Sequence, residues 1–194
     1  MIHNRKEKDT AGNSLLLALD LMNEISLKLH PVYLALGSNI SPRRKNLEKA
    51  IALLRCRFPK KFKTSACYTT LAYQNSDQPD YINCCVCFET SLAPGKVLDV
   101  ILDLEKKCGR VRDGIKWSSR EIDIDIVLFG NLVIDAPGME IPHYDLSQRD
   151  FFIVPLLELD DTLRNPKTGN LLSRELNAIP SNLRTFPEVM KISC

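Results

Sequence analysis

The chain is 194 residues long, 44% hydrophobic and 26% charged, with a formal net charge of +2. That length suits one domain with a full core rather than two. The composition excludes disorder across the whole chain, and near neutrality excludes a global basic field for nucleic acid or an anionic membrane, so any polyanion site has to be local.

No apolar run approaches the ~20 residues needed to span a bilayer, and Met1–Lys6 leads into Glu7 and Asp9 rather than an apolar signal core. Of the seven cysteines, only Cys84 and Cys87 have Cys-x-x-Cys spacing, and no second pair completes a zinc site. They sit in a strand-like run, where residues three apart face opposite ways. They read as small buried hydrophobes in a reducing cytoplasm.

Residues 1–13 are polar. From Ser14 to Leu29, the apolar positions Leu15, Leu16, Leu19, Met22, Ile25 and Leu29 have the spacing of an amphipathic helix, which His30-Pro31 ends. Val32–Leu36 then reads as a buried strand stopped by Gly37-Ser38-Asn39. Ser41 as N-cap with Pro42 at the first helical position opens a helix to about Arg57. Lys63–Thr69 is a candidate strand, 70–79 a polar loop, and Tyr81–Thr90 a strong strand. Pro94 opens a helix to Cys108, capped by Gly109. After a polar, basic loop, Ile122–Phe129 forms another strand, and Gly130-Asn131 is a candidate hairpin turn into Leu132–Ile134. Beyond Pro142 the pattern is mixed, with a short final helix near Leu171–Asn177. Strands and helices that interleave in this way fit an α+β sandwich.

Chemistry concentrates in Arg120-Glu121-Ile122-Asp123-Ile124-Asp125. On a strand, the period of two sets Asp123 and Asp125 on one face and the isoleucines on the other, with the two Asp Cα atoms about 6.6 Å apart. Each carboxylate repels the other unless a cation lies between them. Hard divalent cations such as Mg²⁺ bind through one or two carboxylates plus substrate phosphates. A solvated acidic edge strand accounts for the pair equally well in isolation. Arg110, Arg112, Lys116 and Arg120 nearby favour polyphosphate, since guanidinium groups match phosphate oxygens bidentately. His143 fits a phosphate donor, a proton carrier or a structural residue, and spacing alone favours the last. Tyr81 and Asn83 project an aromatic ring and an amide to one side, suited to a flat heterocycle. Walker A and dinucleotide glycine patterns are both absent, so any ATP phosphates must be held by charged side chains.

Taken together, these residues resemble the 6-hydroxymethyl-7,8-dihydropterin pyrophosphokinase family of folate biosynthesis. The markers are Tyr33-Leu-Ala-Leu-Gly-Ser-Asn39, Asp77-Gln-Pro-Asp-Tyr-Ile-Asn83, Gly109-Arg-Val-Arg112, Trp117, Arg120 to Asp125, Leu128-Phe-Gly130 and Ile141-Pro-His143, followed by Pro155-Leu156 and Glu158. The resemblance implies a ferredoxin-like three-layer α/β/α sandwich with a mainly antiparallel central sheet. It also implies transfer of pyrophosphate from Mg-ATP to the pterin hydroxymethyl group with release of AMP. By the same resemblance, Asp123 and Asp125 are ligands of two Mg²⁺ ions and Arg110 and Arg120 act on the phosphates. Glu105, Arg112, Trp117, Ile126, His143, Tyr144 and Arg149 then belong to the ATP site. The pterin lies between Tyr81 and Phe151, with Asn83, Thr70 and the backbone of Leu71, Ala72 and Tyr73 at its polar edge. Residues 32–180 form the catalytic domain, 1–31 a partly helical extension, and 181–194 a tail that is a candidate seam to a further domain. The implied partners are ATP, the reduced pterin and another folate-pathway enzyme by association or fusion, with neither nucleic acid nor membrane involved.

Two other readings compete. A catalytically silent pterin- or nucleotide-binding module of a multifunctional folate-pathway protein is opposed by the intact Asp123/Asp125 pair and Arg110. An RNA-binding ferredoxin-like domain is opposed by near neutrality and the missing aromatic sheet motif.

Overall fold

The computed structural model describes residues 28–71, 78–110, 119–179 and 188–190, the last three through their backbone. The expected helix over Ser14–Leu29 lies outside the described residues apart from its final two positions.

In chain order, strand β1 (His30–Ser38) is followed by helix α1 (Arg43–Arg57), β2 (Lys63–Thr64), β3 (Cys67–Thr70), β4 (Tyr81–Thr90), helix α2 (Pro94–Lys107) and β5 (Asp123–Phe129). Next come β6 (Ile134–Ala136), β7 (Met139–Ile141), a 3₁₀ turn (Leu146–Gln148), helices α3 (Asp150–Leu159) and α4 (Leu172–Ala178), and β8 (Glu188–Met190). The main sheet runs β5-β1-β4-β3-β8, with β2 also on β4, and every pairing is antiparallel. The β1-α1-β3-β4-α2-β5 order with β1 and β4 central is the ferredoxin-like arrangement, and α3 and α4 add the third layer. No helix of the described residues is long and apolar enough to cross a membrane.

Each sheet face is covered for its own reason. Val32, Leu34, Leu36, Cys84, Val86 and Phe88 point toward α1 and α2, meeting Leu47, Leu54, Val97 and Ile101 in one continuous apolar core. Tyr33, Ala35, Cys85 and Cys87 point the other way, toward Phe152, Ile153 and Leu156 of α3 and Leu172 of α4. Cys84 and Cys87 therefore lie on opposite faces, as the strand period requires.

Several elements differ from the sequence reading by identifiable physics. Pro42 is itself the N-cap of α1, one position later than expected; the Asn46 side chain secures the turn by donating to the Ile40 carbonyl at 3.0 Å. The strand expected over Lys63–Thr69 is split in two. Ser65 replaces a ladder position with its side chain, its Oγ accepting from the Cys85 N–H at 2.9 Å. The turn expected at Gly130-Asn131 forms, the Leu132 N–H donating to the Phe129 carbonyl at 3.0 Å, but the residues after it do not pair back on β5 as a hairpin. Gly130 (φ +51) donates its N–H to the Pro31 carbonyl at 2.7 Å, which extends the β5–β1 pairing. The chain then forms a separate two-stranded sheet from β6 and β7. Helix α3 was not anticipated, because Asp-Phe-Phe-Ile-Val-Pro-Leu-Leu-Glu-Leu carries apolar residues almost all round and an internal Pro155, leaving little helical period to read. The helix over Pro94–Lys107 matches expectation, with Gly109 at φ +101 just past its end.

Candidate active site

The site lies on the α3 side of the sheet, where that helix no longer covers the strands. Gly37 pairs with Asp123 and Asn83, and Ala35 with Asp125, so Asp123, Asp125 and Asn83 emerge around two small residues. A bulge between Tyr33 and Leu34 puts Tyr33 opposite Leu128 and Leu34 opposite Ile126. Past this bulge the aspartates occupy the site face while Ile124 and Ile126 enter the α1/α2 core. β5 is an edge strand, but its acidic face lines a pocket rather than open solvent.

The glycine has a specific reason. A Cβ at Gly37 would meet Asn83 Oδ1 at 2.6 Å, closer than real Cβ contacts come. Asn83 donates from Nδ2 to Thr70 Oγ1 at 2.6 Å, both side chains being buried. Tyr81, Thr70, Leu71, Asn83 and Phe151 line the pocket together with Arg120, Asp123, Asp125 and Arg149. Burial raises the Tyr81 hydroxyl pKa, keeping the ring a neutral platform.

Among the charged groups, Arg110 Nη1 contacts Asp123 Oδ1 at 2.5 Å and Arg120 Nη1 contacts Asp123 Oδ2 at 2.7 Å. Arg110 also pairs with Glu105, which is 2% exposed and accepts the Ile124 N–H at 2.9 Å. Burial works against the Arg110 charge, yet Asp123 and Glu105 more than offset it and raise its pKa. Asp125 is different: burial, then the negative charges of Asp123 and Glu105, push its carboxyl up to about 7, although Arg149 and Arg110 oppose the shift. An excess of negative charge is thus left at Asp125, which a divalent cation would relieve. Among the described residues no group of three or more His, Cys, Asp or Glu forms an all-protein cage. Two carboxylates of hard oxygen character suit Mg²⁺, whose remaining positions go to water and substrate phosphate.

Arg149, paired with Asp145, lies over the rings of Phe151 (5.4 Å) and Phe152 (5.6 Å). His143 donates its backbone N–H to Val127 O at 3.0 Å, accepts the Asp145 N–H on Nδ1 at 3.1 Å, and stacks on Tyr144 with centroids 4.4 Å apart. Burial, then the Arg149 charge, lowers its pKa to about 4. The ring is therefore neutral, with Nδ1 an acceptor and the proton on Nε2.

Of the residues expected at the site, Arg110, Arg120, Asp123 and Glu105 form one ionic cluster. Asp125, Thr70, Leu71, Tyr81, Asn83, Phe151 and Arg149 share the pocket with Arg120 and Asp123. Glu105 stands behind Arg110 and β5 rather than in the pocket wall. The Ile126 side chain packs in the opposite core. His143 and Tyr144 adjoin the pocket through Phe152, against which His143 packs edge-on at 4.8 Å. Ala72, Tyr73, Arg112 and Trp117 lie outside the described residues. Asn39, Gln78 and Phe152 are not among the site residues expected from the sequence; Asn39 and Gln78 each fall inside a family marker, Tyr33–Asn39 and Asp77–Asn83, whereas Phe152 carries no such signal.

A family model for 7,8-dihydro-6-hydroxymethylpterin-pyrophosphokinase matches residues 33–161. The chain belongs to this family. Among its relatives, the 2-amino-4-hydroxy-6-hydroxymethyldihydropteridine pyrophosphokinase of Pseudomonas aeruginosa is 37% identical over 150 residues, covering 77% of this chain and 91% of that protein. The protein of the same name from Haemophilus influenzae is 39% identical over 137 residues, covering 70% and 85%. The mitochondrial folate synthesis bifunctional protein of Arabidopsis thaliana is 35% identical over 136 residues, covering 70% of this chain but 24% of that one. The fold is shared with a Plasmodium falciparum HPPK-DHPS crystal structure at a TM-score of 0.61 and 14% identity, covering 78% of this chain and 43% of the longer one. Like its family, this pyrophosphokinase is an ATP-dependent diphosphotransferase of folate biosynthesis.

Proposed function

We propose that the pocket between Tyr81 and Asp125 is where pyrophosphate passes from Mg-ATP to the hydroxymethyl group of the reduced pterin. The carrying observation is that one pocket is lined both by neutral aromatic and amide groups (Tyr81, Phe151, Asn83) and by paired carboxylates and arginines (Asp123, Asp125, Arg120, Arg149). The pterin stacks between Tyr81 and Phe151, with Asn83 and Thr70 at its polar edge. Two Mg²⁺ ions, when bound at Asp123 and Asp125, neutralise phosphate charge and polarise the transferred group.

Arg110 and Arg120 each hold one oxygen of Asp123. A triphosphate offers both guanidinium groups a stronger bidentate acceptor, and their transfer to it leaves Asp123 open as a ligand. Glu105 keeps Arg110 anchored during that exchange. The pterin hydroxyl oxygen forms a bond to the β-phosphorus as the α,β-bridging bond breaks, so AMP leaves and the hydroxyl proton is released. Arg149 and the Nε2–H of neutral His143 act as donors on the nucleotide side. No covalent enzyme intermediate is needed; positioning and electrostatic stabilisation account for the rate. The domain doing this work is residues 32–180, and the fused Arabidopsis relative supports association with a further folate-pathway enzyme.

Incubation with ATP, Mg²⁺ and 6-hydroxymethyl-7,8-dihydropterin tests the reaction. AMP and the pterin pyrophosphate are expected in equal amounts; ADP in place of AMP, or no nucleotide turnover, overturns it.

A further inference from the structure

Asn39 is 1% exposed, follows β1 directly and does not line the pocket, yet it ties together chain segments on both sides of it. Its Oδ1 accepts the Arg120 backbone N–H at 2.8 Å, and its own N–H donates to the Arg120 carbonyl at 3.3 Å. Its Nδ2 donates to Gln78 Oε1 and to Ser119 Oγ, each at 3.3 Å. Gln78 and Arg120 both line the pocket; Gln78 stands three residues before Tyr81, at the start of the segment that leads into β4, and Arg120 bonds Asp123. The turn that carries Asn39 is itself fixed, because Asn46 donates to Ser38 Oγ at 3.3 Å and to the Ile40 carbonyl at 3.0 Å. From the same helix start, Arg43 donates to the Asp80 carbonyl at 2.6 Å, just beyond Gln78.

We propose that Asn39 is a positioning residue for the transfer step: one buried amide sets the backbone of Arg120 and the placement of Gln78 together, so the phosphate and pterin ends of the pocket take up their geometry jointly. The inference rests on the reading of this pocket as the pyrophosphoryl-transfer site. The amide suits the task because it supplies an acceptor and two donors from one planar group. Hydrophobic side chains satisfy none of these partners, and a carboxylate satisfies only the Arg120 N–H without rearranging the others. A displacement of Arg120 by about 1 Å is enough to cost on the order of 100-fold in rate.

AMP formation by the full chain and by Asn39→Ala and Asn39→Asp tests this, with calorimetric binding of α,β-methylene-ATP and thermal melting on each protein. Asn39→Ala is expected to lose about 10- to 100-fold in kcat, while its affinity for the analogue changes about threefold at most, since positioning acts on the transition state more than on ground-state binding. Asn39→Asp, which keeps the acceptor for Arg120, is expected to lose less. Wild-type kcat in a folded Asn39→Ala protein overturns the proposal, as does a loss of analogue affinity equal to the loss of kcat. Should Asn39→Ala fail to fold, the isosteric Asn39→Asp decides: about 3- to 10-fold lower kcat at an unchanged melting temperature supports the role, and wild-type kcat overturns it. A wild-type chain that forms no AMP sinks the assigned reaction before any variant is made, and this proposal with it.

Discussion

The two faces of the central sheet are built from the same strands and have opposite fates. Toward α1 and α2, every inward position is apolar from Val32 to Leu36 and from Cys84 to Phe88, and the helices cover it from end to end. Toward α3, the face is apolar only as far as Ala35 and Cys85; beyond them stand Gly37, Tyr81, Asn83, Asp123 and Asp125. A sheet face left uncovered by its helix must carry polar groups, and here those groups converge on one pocket. The covered face supplies rigidity and the half-covered face supplies chemistry.

The largest effect is expected where the uncovered face is most charged. Asp125→Ala should lower AMP formation by about 10³-fold or more while leaving the melting temperature near that of the wild type, because it removes a site for transition-state charge stabilisation and relieves like-charge repulsion. Near-normal turnover in that variant would end the metal-ligand role given to Asp125. On the covered face, Leu34 is fully buried, so Leu34→Ala should cost about 2–5 kcal/mol in urea unfolding with little change in kcat per folded molecule. A large loss of kcat there would mean the two faces are not separable.

Gly37→Ala probes the boundary between the two regimes. Its Cβ would press on Asn83 Oδ1, so the KM for the pterin should rise about 10- to 100-fold with binding of α,β-methylene-ATP retained. A parallel loss of nucleotide binding would show that the ends of the pocket are not distinct. The smallest effect is a pH dependence of stability. The folded pKa of His143 is about 4, below its ordinary value of 6.5, so the unfolded chain takes up the proton first. The stabilising contribution is complete above pH 6.5 and is lost as pH falls toward 4, by about 3 kcal/mol. Denaturant titrations of wild type and His143→Gln across that window should differ in slope, and parallel curves would remove the assignment.

Much of the sheet was legible because strand geometry imposes a period of two on any sequence that follows it. Tyr81–Thr90 forms the strand expected of it, and Asp123 and Asp125 share a face because they are two apart. The Pro94–Lys107 helix was legible from Pro at its start and Gly after its end. Where the reading failed, the deciding contacts came from distant chain. The chain turns at Gly130-Asn131 but then pairs β6 with β7 instead of folding back on β5, and α3 takes its shape from the sheet it covers rather than from its own pattern. Ser65 breaks a strand by bonding to Cys85, which no local window contains.

The site divides in the same way. The residue types and their alternation follow from the order of amino acids alone: a carboxylate pair, nearby arginines, and an aromatic ring beside an amide. Periodicity is a property of backbone geometry and needs no tertiary partner. The unequal states of the two aspartates came only with the fold. Asp123 is held by Arg110 and Arg120, whereas Asp125 is pushed up to about 7 by burial and by Asp123 and Glu105. The roles of Glu105 behind Arg110 and of Asn39 between Gln78 and Arg120 are tertiary in the same sense. Burial and charge coupling depend on distances between segments far apart in sequence, and those distances exist only once the sheet has closed against its helices.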